Sequence, residues 1–132
     1  MYNPRALYSV KSTVLGEDFE FLGIDVKIGT DPDGRKWIGF HDTGRGHQIE
    51  GDIVEELPDG FVWRRKNYND DGTWEWSNEK LTFRILTLDR FKKDFVEKGR
   101  IAGAEVFLDR LNSDLDLWEW YRREYGSRGF AF

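Results

Sequence analysis

The chain has no cysteine in its 132 residues. Disulfides, thiol nucleophiles, Cys-ligated zinc and iron–sulfur centres are therefore excluded, and a cysteine-free composition suits a reducing cytoplasm. Histidine occurs only at His41 and His47. Apolar runs are short, and none approaches the ~20 residues that cross a bilayer as a helix, so no membrane association is expected. Met1–Val10 carries no apolar stretch of the secretory-leader kind. A Walker loop, a Gly-x-Ser-x-Gly elbow and a Gly-x-Gly-x-x-Gly turn are also missing, which removes the common local signatures of nucleotide binding and serine hydrolysis. Ser9, Ser12 and Ser77 have no histidine close in sequence. An active site built from distant residues stays open, and no cofactor is implied.

Aromatic residues are abundant. Six Trp, five Tyr and ten Phe make up 16% of the chain, too many for a disordered polymer. Each one that is buried removes ~150–250 Å² from water, so the chain can build its own core, and residues 1–132 read as a single domain. The net charge of −5 is uneven: −6 over residues 1–60, +3 over 61–100 and −2 over 101–132. Nucleic-acid binding needs a concentrated basic face. The acidic balance disfavours it and points to a protein partner with a basic surface.

Three Asp-Gly pairs, Asp33-Gly34, Asp59-Gly60 and Asp71-Gly72, are each soon followed by tryptophan: Trp37, Trp63, and Trp74 with Trp76. Asp-Gly between alternating apolar residues predicts a β-hairpin, because glycine accepts positive φ without steric cost. Alternation from Leu22 to Ile28 predicts a half-buried strand with Leu22, Ile24, Val26 and Ile28 on one face. Leu7–Val14 is a weaker strand, with Tyr8, Val10 and Val14 on one side. Trp37–His41, Ile49–Leu57, Phe61–Asn67, Trp74–Trp76 and Leu81–Leu86 bring the count to about seven between residues 5 and 87.

After Thr87 the period changes. Leu88, Phe91 and Phe95 share one helical face, with Thr87 a suitable N-cap and Gly99 a C-cap. Ala104, Phe107, Leu108 and Leu111 suggest a second helix. Ser113 caps a third, and Asp116 stands at the capping-box spacing. Leu115, Trp118, Arg122 and Tyr125 define its face up to Gly126. Residues 127–132 read as a mobile tail. The expected fold is α+β: an antiparallel meander, or small rolled sheet or barrel, of about 6–7 strands with two or three C-terminal helices packed on it.

The densest polar stretch runs from His41 to Asp52. His41, His47, Glu50 and Asp52 are of the right type to ligate a divalent ion, but their spacing matches no helical zinc motif. No metal is assigned, and both histidines read as surface residues of small weight in folding. Asp42-Thr43-Gly44 resembles the Asp-Thr-Gly of retroviral-type aspartic proteases, in which two close carboxyls share one proton. Here His41 and Arg45 stand where an apolar and a small residue are usual, and Ile101-Ala102-Gly103 poorly matches the later apolar-apolar-Gly element. Ile49-Glu50-Gly51-Asp52-Ile53-Val54 resembles the Gly-Asp-hydrophobic-Val turn that opens strands in SH3-like barrels. It is similar also to a segment of a phage-borne YopX-like family. The resemblance implies a rolled sheet.

Six tryptophans outnumber what one small core easily hides. Trp37, Trp63, Trp74 and Trp76, with Glu50, Asp52, Glu55 and Glu56, are the candidate binding residues. Arg64-Arg65-Lys66 can form a cation–π cluster beside Trp63. Two functions follow. The leading one is a small non-enzymatic protein-binding module, of the inhibitor, immunity or accessory kind found in mobile elements, acting through an acidic, aromatic surface. The alternative is a ligand-binding or hydrolytic domain with a pocket between sheet and helices, using His41, Asp42 and His47.

Overall fold

The computed structural model describes residues 2–14, 20–42, 45–98 and 108–125. Six antiparallel strands close into a barrel in sequential order: β1 (Tyr8–Ser12), β2 (Glu20–Thr30), β3 (Lys36–Asp42), β4 (Arg45–Leu57), β5 (Gly60–Tyr68) and β6 (Trp74–Ile85). β1 makes the closure, with Val10 opposite Phe21 of β2 and Phe83 of β6. It stops at Ser12, so Val14, expected on the inward face, is exposed. The two expected strands Trp74–Trp76 and Leu81–Leu86 are one. The polar run Ser77–Lys80 interrupts the apolar alternation but not the backbone pairing, which continues through an irregularity opposite Arg64–Lys66.

Two of the three Asp-Gly pairs turn the chain as expected. Gly34 and Gly72 have φ of 87° and 85°, the left-handed conformation that glycine adopts without strain. Their amides donate to the carbonyls of Asp31 and Asn69. Gly60 serves a different purpose. It opens β5 directly after Pro58–Asp59, and a Cβ there would stand 1.8 Å from the Phe83 carbonyl oxygen. Close strand approach, not turn conformation, requires glycine at that position.

β2 departs from the expected single face. Asp25 has φ of 53°, and the β2–β3 register shifts between Ile24 and Lys27. Such a bulge inserts one residue and reverses which way the following side chains point. Leu22 and Ile24 therefore join the helix-side core, while Val26 and Ile28 join the barrel interior. One strand so serves both cores.

β4 is shared in a comparable way. Its first half pairs with β3 as far as Trp37↔Glu50, and its second half pairs with β5 from Gly51↔Arg65 onward. The Gly51-Asp52-Ile53-Val54 segment thus lies inside a continuous strand and does not open one. The last rungs of β5–β6, Lys66↔Trp76 to Tyr68↔Trp74, extend past the β4 pairing as a free-standing hairpin arm.

The barrel interior is filled by Tyr8, Val10, Val26, Ile38, Phe40, Ile49, Phe61, Trp63, Leu81 and Phe83. Phe61 and Phe83 stack at 5.0 Å, and Tyr8 meets both rings edge-on. The second core lies between the barrel wall and two C-terminal helices. Helix α1 (Leu88–Phe91) runs into a π-helical turn, Lys92–Val96. Thr87 caps it, its hydroxyl accepting from the Arg90 amide at 3.2 Å. Of the expected middle helix, Ala104 and Phe107 lie outside the described residues, and Leu108–Arg110 forms one 3-10 turn. Gly99, Gly126 and the tail 127–132 also lie outside them.

Helix α2 (Asp114–Tyr125) is capped as the sequence suggests, with the Asp116 amide donating to the Ser113 hydroxyl at 3.1 Å. The Asp116 carboxylate accepts from the Asn112 amide, one residue upstream of the expected partner. Its buried face is rotated from expectation. Leu117, Trp120 and Tyr121 pack inward, while Leu115 is exposed and Trp118 half-buried. Both faces satisfy helical spacing. The apolar surface of Leu22, Ile24, Phe91 and Phe95 takes the Leu117–Trp120–Tyr121 stripe, and Arg122 at its margin meets Asp25 at 3.2 Å with its guanidinium over Trp118. Among the described residues no helix is long and apolar enough to cross a membrane.

Candidate functional site

The outer face of β4 around Glu50 gathers exposed aromatic and charged side chains from β3, β5 and β6. Trp37 stands opposite Glu50, and its indole lies across Gly29, where a Cβ would come within 2.3 Å of the ring. Arg35, at the end of the Asp31–Arg35 turn, meets Asp33 at 3.0 Å and Glu50 at 3.8 Å. Its guanidinium also covers the Tyr68 ring at 4.4 Å. The β2–β3 turn is thereby held against the free-standing β5–β6 arm.

That arm presents Trp74 and Trp76. Two residues apart on a strand, they share a face, and their rings meet edge-on at 5.1 Å and 78°. Both are substantially exposed, at 43% and 38%. The Lys66 ammonium lies 4.2 Å from the Trp74 centroid and 5.3 Å from the Trp76 centroid. Arg64 covers Trp76 at 5.3 Å while donating to the Ser77 carbonyl. Asp52 anchors the cations from below, 3.9 Å from Lys66 and 3.5 Å from Lys36. Each cation–π contact contributes roughly 0.5–1 kcal/mol at such exposure, and together with the edge-on ring contact they favour one arrangement of the two indoles.

Between the two turns runs an open groove of about 490 Å³, lined by Asp33, Arg35, Tyr68, Asp70, Asp71 and Trp74. The Asp71 carboxylate accepts from the hydroxyl and the amide of Thr73, which holds its pKa below the ordinary value.

Of the eight candidate binding residues, the structure brings Trp37, Glu50, Asp52, Trp74 and Trp76 together on this face. Trp63 does not belong to it. It is fully buried inside the barrel, and the cation–π cluster expected beside it forms instead on Trp74 and Trp76. Glu55 and Glu56 are exposed but lie further along β4, opposite Val62 and Phe61 near the β4–β5 turn. Sequence reasoning passed over Tyr68 and Arg35, and assigned the Lys66 cation–π contact to Trp63 where it falls on Trp74 and Trp76. Counting back from the Asn69–Gly72 turn pairs Tyr68 with Trp74 and Lys66 with Trp76, so the places of Tyr68 and Lys66 were accessible from hairpin register alone.

The two histidines do not meet. Phe40 pairs with His47, whose ring stacks on it at 5.0 Å and contacts the Asp42 carboxylate at 2.9 Å. His41, the next residue of β3, points to the opposite face of the ladder. It is 1% exposed, a core residue and not the surface histidine expected, and burial holds its pKa below 6.5. Among the described residues no three His, Asp or Glu side chains form a group able to hold a metal ion. Comparisons with protein-family models, with curated proteins and with solved structures find no match to this chain.

Proposed function

We infer that the protein is a small non-enzymatic binding module that engages another protein through the outer face around Glu50. The observation that carries this reading is the Trp74–Trp76 pair, two exposed indoles in edge-on contact with Lys66 against both rings. Tryptophan is the residue type most enriched among interface hot spots, and a side chain immobilised beforehand loses little entropy on binding. The surrounding Arg35, Glu50, Lys66 and Asp52 form a polar rim of the kind that encircles such anchors.

The test begins with affinity purification from the native host and ends with titration of the recovered partner. The double change Trp74→Ala, Trp76→Ala should weaken that complex by about 2 kcal/mol or more, that is, by well over tenfold. The melting temperature should stay close to that of the parent, since both rings lie outside the two cores. Unchanged affinity would sink the reading.

A further inference from the structure

We propose that the groove between the β2–β3 and β5–β6 turns takes an arginine side chain from an extended basic segment of the partner. This rests on the binding-module reading and adds the chemistry of what is bound.

Charge balance on this face supports it. Arg35, Lys36 and Lys66 each already have a carboxylate partner within 4 Å: Asp33 and Glu50 for the first, Asp52 for the other two. Arg64, on the same face, has no carboxylate within 4 Å among the described residues, but its guanidinium covers Trp76 and donates to the Ser77 carbonyl, so it is directed away from the groove's acids. The carboxylates are not balanced in return. The groove has the three acids Asp33, Asp70 and Asp71 against one guanidinium, and Asp70 has no ion-pair partner among the described residues. Asp31, at the base of the same turn, has none either. Asp71 is exposed and accepts from the Thr73 hydroxyl and amide. A cation entering the groove therefore meets uncompensated negative charge.

The walls favour arginine over lysine. Tyr68 and Trp74 stand opposite one another in the last rung of the arm, and both line the groove. A planar guanidinium stacks on such rings while its edge donates to carboxylates, whereas an ammonium is a compact, strongly hydrated charge. The chain shows the same contact internally, with Arg35 on Tyr68 at 4.4 Å and bound at its edge by Asp33. The groove is open to solvent and not an enclosed cavity, so a side chain can enter it from a segment lying on the surface.

The experiment is titration of the full chain with hexa-arginine, hexa-lysine and oligothymidine, read by calorimetry and by backbone amide shifts. Hexa-arginine should bind saturably and several-fold more tightly than hexa-lysine, with the largest shifts at Gly34, Arg35, Tyr68 and Asp70–Trp74. Asp70→Asn and Trp74→Ala should each weaken it about fivefold or more. Glu55→Gln with Glu56→Gln, an equal or larger loss of charge elsewhere, should leave it within about twofold.

Several results would overturn the proposal: no saturable binding, shifts centred on Glu55 and Glu56, equal weakening by the Glu55/Glu56 variant, or oligothymidine binding more tightly at the same amides. If hexa-arginine fails while Trp74→Ala, Trp76→Ala still disrupts the natural complex, the groove inference falls and the binding module stands. If that natural complex is untouched by the tryptophan changes, the module reading falls on its own evidence.

Discussion

His41 is a titratable ring placed in a core. Burial, the largest influence, lowers its pKa from 6.5; nearby Asp25 and Asp42 pull the other way, and Lys27 and His47 reinforce it. As pH falls through about 6.5 the unfolded chain takes up the proton while the folded chain resists, so folding loses stability on the acid side and regains it above that pH. The melting temperature should fall more steeply between about pH 6.5 and about pH 5 for the parent than for His41→Leu. Parallel curves would show that His41 titrates normally in the fold. Nothing in the sequence distinguished His41 from His47. Alternation places them on opposite faces only once their strands are known to pair as Phe40↔His47. Trp63 was misread for a similar reason. Its alternation with Phe61 marks one face but cannot say whether that face is inside, whereas Trp74 and Trp76 lie beyond the last core residue of the arm.

At the scale of the element, the Asp25 bulge does most to set the architecture, because it lets β2 line the barrel with one half and hold the helices with the other. A non-glycine residue at φ of 53° carries strain that aspartate and asparagine tolerate better than branched residues. Asp25→Val should cost ~1–2 kcal/mol or more from backbone strain, beyond loss of the Arg122 contact. Asp25→Asn, which removes the charge but tolerates the conformation, should cost less than Asp25→Val in urea unfolding; equal costs would assign the effect to the ion pair. The helical elements were legible where local rules govern them. Thr87 and Ser113 cap as their sequence neighbourhoods indicate, and Leu88, Phe91 and Phe95 are buried as a set. Phe95→Ala should cost ~3–5 kcal/mol by equilibrium unfolding; a loss under ~1 kcal/mol would mean that the π-helical turn repacks around the gap. The buried face of α2 was not legible, since two stripes fit the helical period and only the partner surface selects one.

In the whole molecule the two cores share a single wall, so the helices are no appendage. Removing everything after Thr87 would bare Leu7, Leu22, Ile24 and Leu86, which now pack against Phe91, Phe95, Leu117 and Tyr121. The 1–87 fragment should be insoluble or lack a cooperative thermal transition; a soluble, cooperatively unfolding fragment would show that the barrel stands alone. Hairpin order was legible because each connection is short and local, whereas closure was expected only as an alternative to an open meander, since no neighbouring residues announce that β1 will meet β6. That closure matters during synthesis. Tyr8 pairs with Ile85, so the first strand leaves the ribosome and must wait while the other five are made. At elongation rates of ~5–20 residues per second the delay is on the order of 4–15 s. Throughout it, the nascent sheet carries unsatisfied edges and an uncovered aromatic lining, and whatever shields a newborn chain must hold this one until its last strand arrives.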